Sequence, residues 1–167
     1  MRIGIDAHAA ESDGSGNCTY IRNTLLGLRS QDDDHGFFLY TTDSKHVFFR
    51  NFDKDERFRL RQLPVKNPLV RIPVLLAWET LRDNLDILHV QYSAPPIHKG
   101  RLVVTVHDLG FLRFPETFSR FEVFRSKRLV KGTAKRAARI ITGSNYSRQD
   151  IIRTYGLDAG SVSVIPY

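Results

Sequence analysis

The residue pair best placed to do chemistry is His107-Asp108, which closes the segment Arg101-Leu102-Val103-Val104-Thr105-Val106. Leu102 to Val106 is an unbroken β-branched and aliphatic run, the composition of a central parallel strand covered on both faces. In an open α/β sheet, ligands bind in the crevice beyond the carboxyl ends of the strands, so binding or proton-transfer chemistry is expected at a titratable pair there. A strand-end histidine is as often a hydrogen-bonded structural residue, and this strand alone leaves both readings open.

A second constellation lies near the N-terminus. Met1 to Ala7, with Ile3 and Ile5, reads as a first strand. The loop Ala9 to Gly16 follows it, and from Asn17, a candidate N-cap, Tyr20, Ile21, Thr24, Leu25 and Leu28 recur at helical spacing. Backbone N–H groups at such a helix start suit a phosphate or another anion, because Gly14 and Gly16 carry no side chain to hold it off. Ser15 stands between them. The dinucleotide fingerprint would need a third glycine where Thr19 stands, and no Gly-Lys-Ser/Thr is present, so a dehydrogenase and a P-loop NTPase are disfavoured. Gly-Ser-Gly by itself reads better as a flexible surface turn than as an anion site. Six histidines and one cysteine show no zinc-like spacing, and neither H-E-x-x-H nor C-x-x-C occurs, so no metal site is expected. Cys18 reads as a small core residue.

The elements that must position these residues alternate between strand and helix. Phe37 to Thr42 reads as a second strand, Ser44 to Asn51 as a short helix, and Phe58 to Leu63 alternates as an edge strand does. Between Ile72 and Leu85 an amphipathic helix is expected, with Pro73 in its first turn and Trp78 in the core. Asp86 to Tyr92 is a fourth strand, stopped by Ser93-Ala94-Pro95-Pro96. Past the His107 strand come an aromatic-rich loop over 110–116, a long helix from about Ser119 to Ala138, a strand Arg139 to Ser144 and a helix Ser147 to Tyr155 capped by Gly156. Ser161 to Pro166 is a last short strand. Such alternation implies a mostly parallel sheet with right-handed crossovers, an α/β Rossmann-like, three-layer domain flanked by helices.

At 167 residues the chain is the size of one domain, and 41% hydrophobic with 26% charged residues suits a globular protein. No apolar run approaches the roughly 20 residues that span a bilayer, and Met1 to Asp6 lacks the layout of a secretory signal, so a cytoplasmic location is expected. The net charge of +7 favours an anionic partner. Much of it sits in one helix. From Phe118 to Arg139 there are eight basic residues against the single acid Glu122, with Phe121, Phe124, Val130 and Ala134 as the expected buried stripe. A solvated face is the first reading of helix 119–138, a peripheral contact with an anionic membrane or lipid-linked acceptor the second, and nucleic acid the third, since no interleaved aromatic or RNP-type motif accompanies the charge.

Four segments together resemble the N-terminal domain of a GT-B retaining glycosyltransferase of family four, glycosyltransferase group 1. They are Gly14-Ser15-Gly16 with Tyr20, Asp86 to Pro96 with His89 and Tyr92, Val103 to Glu116 reading VVTVHDLGFLRFPE, and Ile140 to Tyr167 reading IITGSNYSRQDIIRTYGLDAGSVSVIPY. The likeness spans essentially the whole chain and implies that 1–167 is one acceptor-side domain, one half of a GT-B fold. By the resemblance, the loop at Gly14, Ser15 and Gly16 faces the donor diphosphate, and His107 contacts the donor sugar beside the reacting carbon. Asp108 supports its loop, and Tyr92, Ser144 and Ser147 line the acceptor cleft. It also implies transfer of a hexose, mannose or glucose, from a nucleotide sugar such as GDP-mannose or UDP-glucose to a polysaccharide or lipid-linked acceptor. No metal cofactor is expected, and the configuration is retained. The family's second Rossmann-like domain, which binds the donor, has no counterpart in these residues, so a C-terminal donor-binding domain is the expected partner in cis and this domain alone is expected to be inactive. Two other classes stay open at this point: a nucleotide-binding Rossmann module of another enzyme class, and a basic, non-enzymatic interaction domain.

Overall fold

The structure, a computed structural model, describes residues 1–166. In chain order its elements are β1 (Arg2–Asp6), α1 (Gly16–Arg29), β2 (Gly36–Thr41), β3 (Phe58–Gln62), α2 (Pro68–Val70), α3 (Ala77–Arg82), β4 (Ile87–Gln91), β5 (Arg101–Thr105), α4 (Gly110–Arg113), α5 (Arg120–Arg136), β6 (Arg139–Thr142), α6 (Asn145–Tyr155) and β7 (Val162–Val164). The strand order is β3-β2-β1-β4-β5-β6-β7. The pairs β1–β2, β1–β4, β2–β3, β5–β6 and β6–β7 are parallel, as the strand–helix alternation requires. The fold is the α/β Rossmann-like, three-layer class. Among the described residues no helix is long and apolar enough to cross a membrane.

The chain divides into two compact units. The first comprises Met1–His89 and Pro95–Gly100. Ile5, Ile21, Leu25, Phe37, Leu39 and Phe49 form its core, and Phe37 stacks on Phe58 across the β2–β3 register at 4.7 Å between ring centroids. β3 lies at the sheet edge, in keeping with its alternating pattern. A side chain at Gly4 would collide with Leu85 and Tyr40, both buried, which accounts for glycine in the middle of β1.

Two expectations for this unit are corrected. The N-cap of α1 is Ser15 rather than Asn17: its hydroxyl accepts from the Cys18 N–H at 3.1 Å, and Gly16 already begins the helix. Trp78 is 67% exposed. The helical stretch 68–82, π-helical over Arg71–Leu76, instead buries Arg71, Leu76, Ala77 and Thr80 and leaves Val70, Val74 and Trp78 outward. The stretch carries an apolar row on each side, and the ion pair of Arg71 with Asp6 orients it.

The second unit comprises Val90–Ala94 and the chain from Arg101 onward. Val104, Val106, Ile140 and Ile151 are fully buried in it. α5 starts at a capping box, in which Ser119 and Glu122 satisfy each other's backbone N–H groups. Val130 and Ala134 of the expected stripe are buried in α5, together with Thr133, whereas Phe121 and Phe124 are about 60% exposed, contrary to expectation. The segment 110–116 is not an open loop but the short helix α4 followed by a 3₁₀ turn, Pro115–Thr117. Gly156 ends α6 in the left-handed conformation, φ 63°, as its position foretold.

Candidate functional site

In the second unit the site is built at the carboxyl end of β5. The backbone pairing continues past the strand, Val106 N–H donating to Ile141 O at 2.9 Å, so His107 leaves the sheet from a fixed position. The Thr142 hydroxyl then donates to the His107 carbonyl at 3.2 Å. His107 Nε2 lies 2.9 Å from the Gln91 side-chain amide, so the two side chains are hydrogen-bonded. The Tyr92 ring lies beside it, 5.5 Å between centroids. Burial pushes the His107 pKa below the ordinary imidazole value, and the Asp108 carboxylate offsets only part of this, so the ring is neutral at pH 7. A neutral, half-buried imidazole can hydrogen-bond to a ligand and pack against it without adding charge.

Tyr92 itself has φ 60°, a left-handed backbone that a bulky residue rarely adopts. Its N–H still donates to Thr105 O at 2.9 Å, so the strained turn is pinned to the strand that carries His107. Asp108 accepts from the Gly110 N–H at 2.7 Å and shapes the turn into α4. Ser144 is the N-cap of α6: its Oγ accepts from the Ser147 N–H at 3.1 Å. Asp108 and Ser147 share the wall of one cavity of about 440 Å³, together with Phe114, Phe118, Tyr146 and the ion pair Arg113–Asp150. His107, Tyr92 and Ser144 are not in that wall. The structure thus groups His107 with Tyr92 and Gln91, and Asp108 with Ser147. Gln91 was missed by sequence reasoning; the polar residue at the end of an apolar strand was its only signal.

In the first unit, Gly14 has φ 82°, and a side chain at either Gly14 or Gly16 would meet open space. The turn ahead of α1 is therefore uncovered within this unit, with Ser15 capping the helix.

A second group here was also missed. Asp6, the last residue of β1, and Arg71 are both buried, with Arg71 Nη1 at 3.0 and 3.1 Å from the two carboxylate oxygens. His8 Nδ1 lies 2.8 Å from the same carboxylate, and the His8 side chain is 39% exposed. Burial works to raise the Asp6 pKa, yet His8 and Arg71 outweigh it and hold the carboxyl far below the usual carboxylate range. Asp6 is thus a fixed anion that orients the His8 ring, with Nδ1 protonated. The Asp-x-His spacing was visible, but Arg71 is 65 residues away and its burial was not. Among the described residues no group of three or more His, Cys, Asp or Glu side chains could hold a metal ion.

Residues 16–167 match the family model described as Glycosyltransferase Family 4. The chain belongs to glycosyltransferase family 4. No curated protein matches it significantly. In this glycosyltransferase-family domain, the match includes every site residue of the second unit as well as Arg71, and begins just after Ser15.

Proposed function

We propose that the chain is the acceptor-side domain of a retaining hexosyltransferase. The enzyme moves mannose or glucose from a nucleotide sugar, GDP-mannose or UDP-glucose, to a polysaccharide or lipid-linked acceptor. The observation that carries this reading is the neutral His107 ring at the carboxyl end of β5, held by Gln91 in a domain of this family. In the reaction the bond from the anomeric carbon to the diphosphate oxygen breaks, and one to the acceptor oxygen forms on the same face. The leaving diphosphate takes the acceptor proton. His107 holds the sugar beside the reacting carbon, so the chain acts by positioning and charge stabilisation. The Gly14–Ser15–Gly16 turn faces the donor diphosphate, Tyr92, Ser144 and Ser147 line the acceptor cleft, and Asp108 supports the loop. A donor-binding domain in cis supplies the nucleotide site, and no metal is required.

The domain works in the cytoplasm against the inner face of the membrane. Exposed Phe121 and Phe124, beside the cations of α5, are what support that contact. The test uses the full-length protein with each nucleotide sugar and a lipid-linked acceptor, following the anomeric proton signal of the product. Transfer with retained configuration is expected. Inverted product, or no nucleoside diphosphate released from any nucleotide hexose, would overturn the reading.

A further inference from the structure

We propose that the groove between α5 and α6 is a binding site for a phosphate-bearing anion, a diphosphate or a phosphate ester of comparable charge. The groove has a volume of about 600 Å³ and lies in the second unit, apart from the wall shared by Asp108 and Ser147. Three features of its lining point to such a ligand.

The first is uncompensated charge. Lys127, Lys131 and Lys135 follow one another at four-residue intervals and all line the groove with Arg128. Successive lysines at that spacing stand about 6 Å apart along the axis and repel, which opposes the helix. Among the described residues no carboxylate is ion-paired with any of the four. Glu122, the only acid of α5, is committed to the capping box. A ligand with several charged acceptor oxygens would offset this repulsion and take charge-assisted hydrogen bonds from more than one lysine.

The second is Gly132. It sits inside α5, where glycine is the poorest residue short of proline. An added side chain would meet nothing within 4 Å, so no packing constraint demands glycine here. Its effect is to leave the groove open between Lys131 and Lys135.

The third is Tyr155. It is 5% exposed and forms part of the groove wall, and its hydroxyl is buried without a hydrogen-bond partner. An unmet buried hydroxyl is costly. Burial, with Asp150 adding to it, pushes the phenol up to about 12, so at neutral pH it remains a donor. A solvated cationic face would explain the lysines but neither the glycine nor the unmet tyrosine.

The phosphate could belong to a soluble compound or to a lipid headgroup at a bilayer; the bilayer case rests on the membrane contact proposed above, and the soluble case does not. Calorimetric titration of the full-length protein with inorganic pyrophosphate is the test, with Lys131→Gln/Lys135→Gln and Gly132→Leu as variants and Gly132→Ala as a folding control. Binding should weaken about fivefold for each lysine removed. It should be lost in Gly132→Leu, while both glycine replacements raise the melting temperature. Vesicles containing phosphatidic acid that displace pyrophosphate identify a headgroup ligand, and vesicles that fail to displace it identify a soluble one. Pyrophosphate binding that is absent, or unchanged in the variants, would overturn the proposal. Unchanged binding that GDP or UDP displaces would assign it to the donor site and leave the transferase reading standing.

Discussion

Replacing Arg71 with methionine tests whether the buried ion pair organises the first unit. Arg71 and Asp6 are 2% and 3% exposed, and the guanidinium sits 3.0 and 3.1 Å from the carboxylate oxygens. Removing one partner of a buried pair costs about 3–5 kcal/mol, because the remaining charge is dehydrated and unpaired. His8 stays 2.8 Å from Asp6, and methionine fills part of the vacated volume, so the lower figure, about 3 kcal/mol, is expected. That is a large share of the roughly 5–15 kcal/mol that holds a domain together. Urea unfolding at pH 7 measures it. Asp6→Asn added to Arg71→Met should recover part of the loss, since the amide leaves no buried charge, and the pair should be non-additive. The sign with pH follows from the lowered Asp6 pKa: its contribution is complete above about pH 4, the unfolded value, and disappears as the solution is acidified further. A loss below about 1 kcal/mol, or strict additivity of the two substitutions, would refute the claim that the pair orients the 68–82 stretch.

Other predictions follow from the second unit and the exposed faces. Because burial lowers the His107 pKa, its ring should titrate below the ordinary value of about 6.5 in an NMR titration, and the stability it contributes as a neutral ring should be present above that pH and fall below it. A titration above 6.5 would contradict the stated neutral form. Phe121→Ser with Phe124→Ser should leave unfolding within about 0.5 kcal/mol of the parent, since both rings are exposed, but should reduce sedimentation with phosphatidylglycerol vesicles. Trp78→Gln should likewise be near neutral in stability, and a loss above about 2 kcal/mol would return Trp78 to the core.

What the sequence made legible was whatever rests on local pattern. The β-branched run before His107, the helical spacing after Gly16 and the glycine closing α6 each specify a local conformation, and all three stand in the structure. Patterns with two solutions failed. The 68–82 stretch has apolar residues on both sides, and the choice between them depends on Asp6, far away in sequence at the end of β1. In α5 the phenylalanines have the spacing of a core stripe, yet burial begins only at Val130, where packing partners exist. Ser15 and Asn17 are both competent caps, and the turn at Gly14, φ 82°, fixes which one meets the helix start. The His107 site was half legible: the strand end announced it, whereas its partners Gln91 and Tyr92 come from β4 and the turn after it, and only the fold brings them within reach.

The decisive measurement is sugar transfer by the full-length protein carrying His107→Ala, alongside nucleotide binding and unfolding of the same variant. If His107 positions the sugar, kcat should fall by about a hundredfold or more while nucleoside diphosphate affinity and stability stay near those of the parent. Transfer at the parent rate in a folded variant would remove His107 from the reaction and contradict the assignment of this strand end as the sugar site.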